Sequence, residues 1–310
     1  HLAGLILNFF SQNFGDALNK EIGMFSTALF ALLINCHALR VETYGDSLTA
    51  GFLANSSLTN PPPLEDIGVI LTNLSLFRIT GEEKYLSYYK IPETTWGYKL
   101  ATKFSSKAPT TYINMAKESH KTFHIPEQIR QVPKTTEPTI GFVLIGHNDL
   151  CNPKDSSEHI AGNFVNKLNE GLAIWDDNHK NSTLYLIEVG DVPKVFDLLE
   201  KVEWYKTQEK TLTCDFSWKK IFPYCPYFAK LQNTGRIKEV LTPTLKLMNQ
   251  SLPGIATQMT AKSANNNQYM VLKSSNETQY EIADFAVDCF HLSEKGQGRL
   301  ADAVWKDLGN

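Results

Sequence analysis

Residues 44–51 read Tyr-Gly-Asp-Ser-Leu-Thr-Ala-Gly and overlap the end of a β-branched and apolar run, residues 40–45. That run predicts a β-strand, and the residues after it predict the start of a helix. A serine on such a strand-to-helix turn presents its hydroxyl, and main-chain N–H groups beside it can face a developing negative charge. Gly45 suits the tight turn, so Ser47 is a candidate nucleophile. The alternative is an ordinary turn in which Asp46 or Ser47 caps a helix.

Residues 288–291 read Asp-Cys-Phe-His and stand directly before the last predicted helix. A serine hydroxyl becomes a strong nucleophile when a base removes its proton, and the base works best when a carboxylate fixes its tautomer. Asp288 stands three residues before His291, a spacing that can place the carboxylate against the imidazole. We therefore predict that His291 is the base and Asp288 its partner. A helix-capping Asp with a surface His is the alternative.

Residues 146–149 read Gly-His-Asn-Asp and follow the third predicted strand. The side-chain amide of Asn148 carries two N–H donors and no charge, which suits it to stabilise an oxyanion. A plain turn after a strand is the alternative, since Gly and Asn are common in turns. The three stretches each fall at a predicted strand end or helix start, and together they indicate a serine hydrolase.

Strand-like runs alternate with helical patterns along the chain, which is typical of a parallel sheet covered by helices on both faces. Ligands bind at the carboxyl ends of the strands in such sheets, so a site is expected where the three stretches lie. The predicted strands are residues 40–45, 111–116, 139–146, 183–190 and 269–274. The predicted helices are residues 95–104, 161–176, 237–259 and 293–308. Pro243 and Pro253 are expected to break or kink the third helix.

With these stretches in order, the chain resembles the SGNH/GDSL hydrolase family from about Val41 to its C-terminus. It is most similar to secreted bacterial-type and phospholipase-B-like members, in which strings like Asn-Asp-Leu-Cys (148–151) and Asp-Cys-Phe-His (288–291) recur. The resemblance implies a three-layer α/β/α flavodoxin-like fold with a central parallel sheet. It also implies hydrolysis of lipid or other acyl esters without a metal or organic cofactor. The implied site consists of Ser47, Asp288 and His291 as the catalytic triad, Ser47, Ser119 and Asn148 as the oxyanion hole, and Gly45, Asp46 and Gly146 as supporting residues.

The second block of the family aligns with Asn-Met-Ala-Lys-Glu-Ser, residues 114–119, and here the chain departs from the family pattern. Ser119 stands where the family has a glycine whose main-chain N–H contributes to the oxyanion hole. The N–H is still present, but serine tolerates a positive φ poorly. The departure leaves open a catalytically impaired relative that binds a lipid or glycan without hydrolysing it.

Charge and composition restrict the partners. The 310 residues carry a net charge of −3 and no long Lys/Arg run, so we expect no nucleic-acid partner. The aromatic residues between 204 and 228 indicate either an acyl pocket with transient contact to a lipid interface, or the core of an insertion. We predict that the substrate is a small-molecule or lipid ester. The alternative is that the protein is a carbohydrate O-acetyl esterase.

His120 and His124 are four residues apart, the spacing of the two histidines in a zinc-hydrolase helix. Lys121 stands where that helix has a glutamate, so no metal role is predicted.

Residues 24–34 form the most apolar stretch near the N-terminus, too short to span a bilayer but suited to the core of a signal peptide. The following Cys-His-Ala, residues 36–38, resembles a cleavage site. We therefore predict an N-terminal segment, residues 1–38, with a signal peptide at about 24–38, and a hydrolase domain at residues 39–310. The protein is then secreted or extracytoplasmic. An N-terminal helix packed on the domain is the alternative.

Cysteine usage favours an oxidising compartment. Removal of the signal peptide takes Cys36 away and leaves four cysteines, which allow three disulfide pairings. The pairing that we favour joins Cys214 to Cys225 across a short aromatic loop, and Cys151 to Cys289. Free buried thiols are the alternative.

Overall fold

The computed structural model describes residues 38–63, 66, 69, 73, 91–151, 155–206, 211–221 and 237–310. The predicted signal peptide lies outside these residues except for Ala38, and the division of the chain at residue 38 stays a prediction. Cys225 and the aromatic residues between 222 and 228 also lie outside them.

The core of the fold is a five-stranded sheet in which all neighbouring strands run parallel. The strands in chain order are β1 (Leu39–Gly45), β2 (Thr110–Asn114), β3 (Thr139–Leu144), β4 (Thr183–Ile187), β5 (Glu203–Lys206), β6 (Thr211–Thr213) and β7 (Gln268–Leu272). The sheet order is β2-β1-β3-β4-β7, and β5 and β6 form a separate antiparallel pair. The strand that leads into Ser47 is therefore paired on both sides.

All five predicted strands are present in this sheet, which confirms the predicted fold class. Four of them end earlier than the sequence pattern predicts. β2 ends at Asn114 instead of 116, and β3 ends at Leu144 instead of 146. The residues beyond these ends leave the sheet to form the loops that carry the predicted oxyanion donors.

Helices cover both faces of the sheet and complete three layers. The α-helices are α1 (Ser47–Ala50), α2 (Trp96–Ser105), α3 (Ile125–Arg130), α4 (Ser157–Asn178), α5 (Val192–Leu199), α6 (Cys214–Phe216), α7 (Ile237–Lys262), α8 (Ser274–Glu277) and α9 (Glu294–Asp307). Shorter 3₁₀ and π turns are Pro92–Thr94, Thr122–His124, Asp149–Cys151, Ser217–Ile221 and Ile282–Asp284. Across the ranges that the structure describes, no helix has both the length and the apolar character needed to cross a bilayer.

The two helical layers meet opposite faces of β1. Trp175 of α4 donates a hydrogen bond to the buried Glu42 at 3.3 Å. Gly97 of α2 lies against Thr43, because a Cβ on Gly97 would fall 2.7 Å from the Thr43 methyl group. Since adjacent strand residues point to opposite faces, α4 and α2 lie on opposite sides of the sheet. The α3 and α7 helices contact α4, and α9 contacts α2.

The α7 helix runs through Pro243 and Pro253 without a break, so the break expected at these residues does not occur. A proline inside a helix costs about 3 kcal/mol. Burial of an apolar stripe offsets this cost, because apolar residues recur every three or four positions along α7. The buried members of the stripe are Leu241, Leu245, Met248, Leu252, Ile255, Ala256 and Met259.

A disulfide joins Cys214, which follows β6, to Cys289 in the loop before α9, and both residues are fully buried. Both favoured pairs, Cys214–Cys225 and Cys151–Cys289, are therefore wrong. The segment around Cys214 packs against the loop before α9 instead of closing on itself, and no local pattern reports such long-range packing. Cys151 is also disulfide-bonded.

The two tryptophans of the 204–228 region pack inward, whereas Phe216 is exposed. Trp204 and Trp218 are both buried. The indole N–H of Trp204 donates to the hydroxyl of Ser217 at 2.8 Å. The ring of Trp218 meets Phe196 of α5 edge-on, with 4.5 Å between the centroids. This segment therefore packs against the main body of the fold.

Candidate active site

Three predicted residues, Ser47, His291 and Asp288, form one hydrogen-bonded chain at the carboxyl edge of the sheet. The hydroxyl oxygen of Ser47 lies 2.7 Å from Nε2 of His291, and Nδ1 of His291 bonds to Oδ2 of Asp288. Because a carboxylate only accepts, Nδ1 carries the proton and Nε2 is left to accept the proton of the hydroxyl. All three residues are buried, with at most 7% of each exposed.

The turn between β1 and α1 places Ser47. Asp46 caps α1, since its Oδ1 accepts the N–H of Leu48 at 3.1 Å. Gly45 lies so close to β3 that a Cβ there would fall 2.1 Å from the carbonyl oxygen of Leu144. Asp46 therefore caps the helix, as the alternative interpretation of this turn held. Ser47 contacts the imidazole of His291 in the same turn.

His147 joins the turn that carries Ser47 to the ends of β3 and β4, a role that the sequence analysis missed. Its Nε2 accepts the N–H of Gly190, which follows β4, at 3.2 Å. The proton is therefore on Nδ1, which donates to Oδ2 of Asp46 at 3.1 Å. Gly146 lies against α7, because a Cβ there would fall 2.7 Å from the terminal methyl of Met248. The available signal was the position of His147 inside the Gly-His-Asn-Asp string.

The loop that carries Asp288 and His291 is held by its own backbone. The N–H of Ala286 donates to the carbonyl of His291 at 2.8 Å. Oδ1 of Asp288 accepts the N–H groups of Phe290 and His291 at 3.1 and 3.0 Å. One carboxylate oxygen thus binds the backbone and the other binds the imidazole, so the ring cannot rotate without losing a bond. The alternative of a surface His does not hold.

A second Asp-x-x-His spacing in the chain shows that the spacing alone does not produce this arrangement. At the end of α4, Nε2 of His179 bonds to Oε1 of the buried Glu42 at 3.2 Å. Oδ1 of Asp176 instead accepts the amide of Asn267 at 2.9 Å. The pair at 288–291 differs because Cys289, between its members, has a φ of +61° and turns the chain back on itself.

Ser119 adopts a φ of +60° and its side chain is exposed. This is the left-handed region that a glycine enters freely and that costs other L-residues about 1–2 kcal/mol. The carbonyl of the next residue, His120, accepts the amide of Asn148 at 3.0 Å. That bond brings together the two loops that carry the predicted oxyanion donors.

Gln128 of α3 is a buried residue that connects these loops and that the sequence analysis missed. Its Oε1 accepts the N–H of Gly45 at 2.9 Å, and its Nε2 donates to the carbonyl of Gly45 at 2.8 Å. Its Nε2 also bonds to Nδ1 of His120 at 2.8 Å. One side chain therefore ties the turn before Ser47 to the loop of Ser119. A single Gln in a short helix gives no local sequence signal for this role.

Asp149 holds the same loop from the side of β3. Its Oδ2 accepts both the N–H and the hydroxyl of Thr122 at 3.0 Å. Burial raises the pKa of Asp149 to about 6, against the opposing effect of the hydrogen bonds from Thr122. The bonds to Thr122 are therefore weakened near the acid end of the physiological range.

His120 and His124 stack with their ring centroids 4.0 Å apart in the loop after Ser119. Nδ1 of His124 accepts the N–H of Lys121 at 2.9 Å, and burial lowers the pKa of His124. Among the described residues, no three or more His, Cys, Asp or Glu side chains are grouped so that they could hold a metal ion. Within the pair, His120 also bonds to Nε2 of Gln128 at 2.8 Å.

Comparison with known proteins places the chain in a family. A family model described as GDSL-like lipase/acylhydrolase matches residues 41–304. Among solved structures, the chain is similar to the psychrotrophic esterase EstA from Pseudoalteromonas sp., at 13% identity over 87% of this chain and 96% of that chain, with a TM-score of 0.44. It is also similar to a lipolytic protein of the G-D-S-L family from Veillonella parvula, at 11% identity over 86% and 97% of the two chains, with a TM-score of 0.44. A third is the family 3 carbohydrate esterase of Clostridium thermocellum, at 14% identity over 87% and 94%, with a TM-score of 0.40. No curated protein matches the sequence.

Proposed function

The chain belongs to the GDSL-like lipase/acylhydrolase family and is an enzyme that hydrolyses esters, and we propose that it acts through an acyl-enzyme on Ser47. The observation that carries this proposal is the hydrogen-bonded chain from Ser47 through His291 to Asp288. The substrates are carboxylic esters of lipid or other acyl groups.

In the first half of the reaction, Oγ of Ser47 attacks the ester carbonyl while Nε2 of His291 takes the hydroxyl proton. Collapse of the tetrahedral intermediate breaks the bond to the alcohol oxygen, and His291 gives that oxygen its proton. In the second half, His291 takes a proton from water, the hydroxide attacks the acyl-enzyme, and the proton returns to Ser47. Asp288 holds the ring in place and stabilises its charged form in both halves.

Three N–H donors are proposed for the oxyanion: the main-chain N–H groups of Ser47 and Ser119 and the side-chain amide of Asn148. The bond from Asn148 to the carbonyl of His120 supports this grouping, because it ties the amide to the residue next to Ser119. A removed oxyanion donor typically costs 100–1,000-fold in kcat, or about 2.7–4 kcal/mol. The left-handed φ of Ser119 also supports the assignment, because the residue keeps the backbone conformation that suits a glycine.

We assign the mature enzyme to an oxidising compartment outside the cytoplasm. The support is the disulfide between Cys214 and Cys289, since such bonds persist in oxidising environments and are rare in the cytosol. The apolar stretch 24–34 would then act as the signal peptide. N-terminal sequencing of protein recovered from the medium or periplasm should give a start close to residue 39. A mature chain that retains residues 24–38 would contradict the assignment.

The proposed nucleophile is tested with a fluorophosphonate probe, which bonds covalently to activated serines. Wild-type protein is expected to be labelled, and Ser47→Ala is expected to lose the label and the ester-hydrolysing activity. Ser57→Ala is the matched control, because Ser57 lies ten residues away and its hydroxyl pairs with Thr59 instead. Circular dichroism of each variant shows that it is folded. Persistent labelling or hydrolysis in Ser47→Ala would contradict the proposal.

A further inference from the structure

A cavity of about 190 Å³ lies at the carboxyl ends of β3, β4 and β7, next to the triad. Its floor is apolar and buried, and is formed by Leu144, Phe285 and Leu300, each no more than 1% exposed. Val195 of α5 forms a side wall, and Leu198, which is 39% exposed, stands at the mouth. The cavity thus leads from a mouth beside Leu198 to a buried apolar floor.

The cavity lies beside the two segments that carry the reacting side chains. Leu48 and Phe290 line it, and they are the chain neighbours of Ser47 and His291. The ring of Phe290 meets the imidazole edge-on, with 5.2 Å between the centroids. His147, which binds the cap of α1, lines it as well. The cavity is therefore lined by residues directly next to Ser47 and His291 in the chain.

Ser119 and the cavity lie on different sides of β1, the strand that leads into Ser47, whereas Asn148 lies on the same side as the cavity. Ser119 and Asn148 follow β2 and β3, whereas the cavity extends from β3 towards β4 and β7. A carbonyl carbon on Ser47 with its oxygen towards Ser119 would direct one of its two remaining substituents towards the cavity. The sheet order thus separates Ser119, one of the proposed oxyanion donors, from the cavity.

Charge in the cavity is confined to its rim. Of the described residues that line it, the charged ones are Asp191 and Lys194, which pair with each other at 3.0 Å. Lys194 is largely exposed, so the pair faces solvent. Uncharged polar residues also line the cavity, among them Ser275, Asn276 and Thr278 after β7, so its apolar floor is the part that favours an aliphatic chain.

We infer that this cavity holds the aliphatic acyl chain of the substrate, an inference that rests on the proposed acyl-enzyme at Ser47. The acyl group is bonded to the enzyme from the end of the first step until water attacks in the second, whereas the alcohol must leave before water can attack. A cavity with a buried apolar floor therefore suits the acyl chain, and the alcohol leaves on the open side. The enzyme then prefers medium-chain esters to acetyl esters.

The expected size of this preference follows from burial of methylene groups. Each CH₂ that enters the cavity raises kcat/KM by roughly fourfold, until the cavity is full. With p-nitrophenyl as a constant leaving group, kcat/KM should rise from acetyl through butyryl and hexanoyl towards octanoyl esters. With acetate as a constant acyl group, lengthening the alcohol from ethyl to octyl should change kcat/KM by less than about threefold, below the gain from one buried methylene.

Substitutions at Val195 test the assignment. Val195→Phe adds volume to the wall, and Val195→Thr keeps the volume but adds a hydroxyl. Both variants should lower kcat/KM for the octanoyl ester by about tenfold or more. Both should leave kcat/KM for the acetyl ester within about twofold of the wild-type value. Val165→Phe is the matched control, because Val165 is a half-buried valine of α4 that does not line the cavity. The control should keep the wild-type chain-length profile.

The outcomes separate this inference from the proposed function. Suppose that the protein is labelled by the fluorophosphonate and hydrolyses acetyl esters, but that kcat/KM stays flat along the acyl series or rises along the alcohol series. This result would overturn the acyl assignment and leave the proposed function intact. An enzyme that is not labelled would refute the proposed function, and octanoate binding then tests the cavity alone. Calorimetry should show octanoate binding to Ser47→Ala that weakens at least tenfold when Val195→Phe is added. Equal binding to both variants would overturn the inference.

Discussion

The indole N–H of Trp218 donates a hydrogen bond to the main-chain carbonyl of Cys289 at 3.1 Å. Cys289 has the left-handed φ and, with Phe290, stands between Asp288 and His291 in the chain. The segment after β6 therefore holds the turn twice, through this bond and through the disulfide from Cys214. The insertion thus supports the position of the proposed base as well as adding to the core.

Removal of the disulfide should affect both stability and catalysis. We expect the Cys214→Ser, Cys289→Ser double variant to lose about 2–4 kcal/mol of unfolding free energy, since the bond closes a loop across 75 residues. Its kcat should fall by roughly tenfold, about 1.4 kcal/mol, because the turn between Asp288 and His291 is less fixed. Urea unfolding and ester kinetics measure the two effects. A variant with lower stability but unchanged kcat would show that the disulfide does not position the turn.

Ser119→Gly should relieve the left-handed backbone without loss of activity. Glycine enters this region at no steric cost, so we expect stability to rise by up to about 1 kcal/mol and kcat to stay within about twofold or increase. Ser119→Val should lower kcat by about 10–100-fold, because a β-branched residue resists a positive φ and would displace the N–H. Equal kcat values for the Gly and Val variants would argue against Ser119 as an oxyanion donor.

Gln128→Glu isolates the donor half of the Gln128 side chain. A carboxylate still accepts the N–H of Gly45 but cannot donate to its carbonyl or to Nδ1 of His120. We expect kcat to fall about tenfold with little change in KM, because the loop of Ser119 loses its tie to the turn of Ser47. Glu127→Gln, on the exposed face of the same helix, is the control. A change confined to KM would show that Gln128 does not act on the oxyanion loop.

The pH dependence of stability should reveal the raised pKa of Asp149. A carboxyl with a pKa of about 6 in the folded state and 3.8 otherwise binds protons more tightly when folded. Its contribution to stability therefore grows as the pH falls from about 6 towards 4. Compared with Asp149→Asn, which does not titrate, the wild type should gain stability over that interval. If the unfolding free energies of the wild type and of Asp149→Asn change in parallel between about pH 4 and 7, the raised pKa of Asp149 is contradicted.

Much of the site could be predicted because parallel α/β folds gather strand ends at one edge of the sheet. Ser47 and Asn148 follow neighbouring strands, and Asp288 and His291 precede the last helix in a loop that reaches the same edge. The strong periodic and strand patterns also placed the main elements correctly. Local patterns therefore sufficed wherever chain order determines position.

The remaining features depend on contacts between distant segments. The partner of Cys214 is determined by where an insertion packs, which spacing between cysteines does not report. Gln128 acts on Gly45, 83 residues away, and a helix pattern does not identify such a partner. The continuity of α7 through Pro253 is determined by burial of its apolar stripe, which outweighs the local preference of proline to end a helix.

Mass spectrometry of enzyme quenched in acid during turnover of an octanoyl ester tests the central claim most directly. We predict that the wild-type protein gains the mass of one octanoyl group, on the peptide that contains Ser47, and that His291→Ala gains none over the same interval. An acyl group on a different residue would contradict the proposed acyl-enzyme. So would sustained turnover by the wild-type enzyme if no acyl group is trapped at Ser47 when deacylation is slowed.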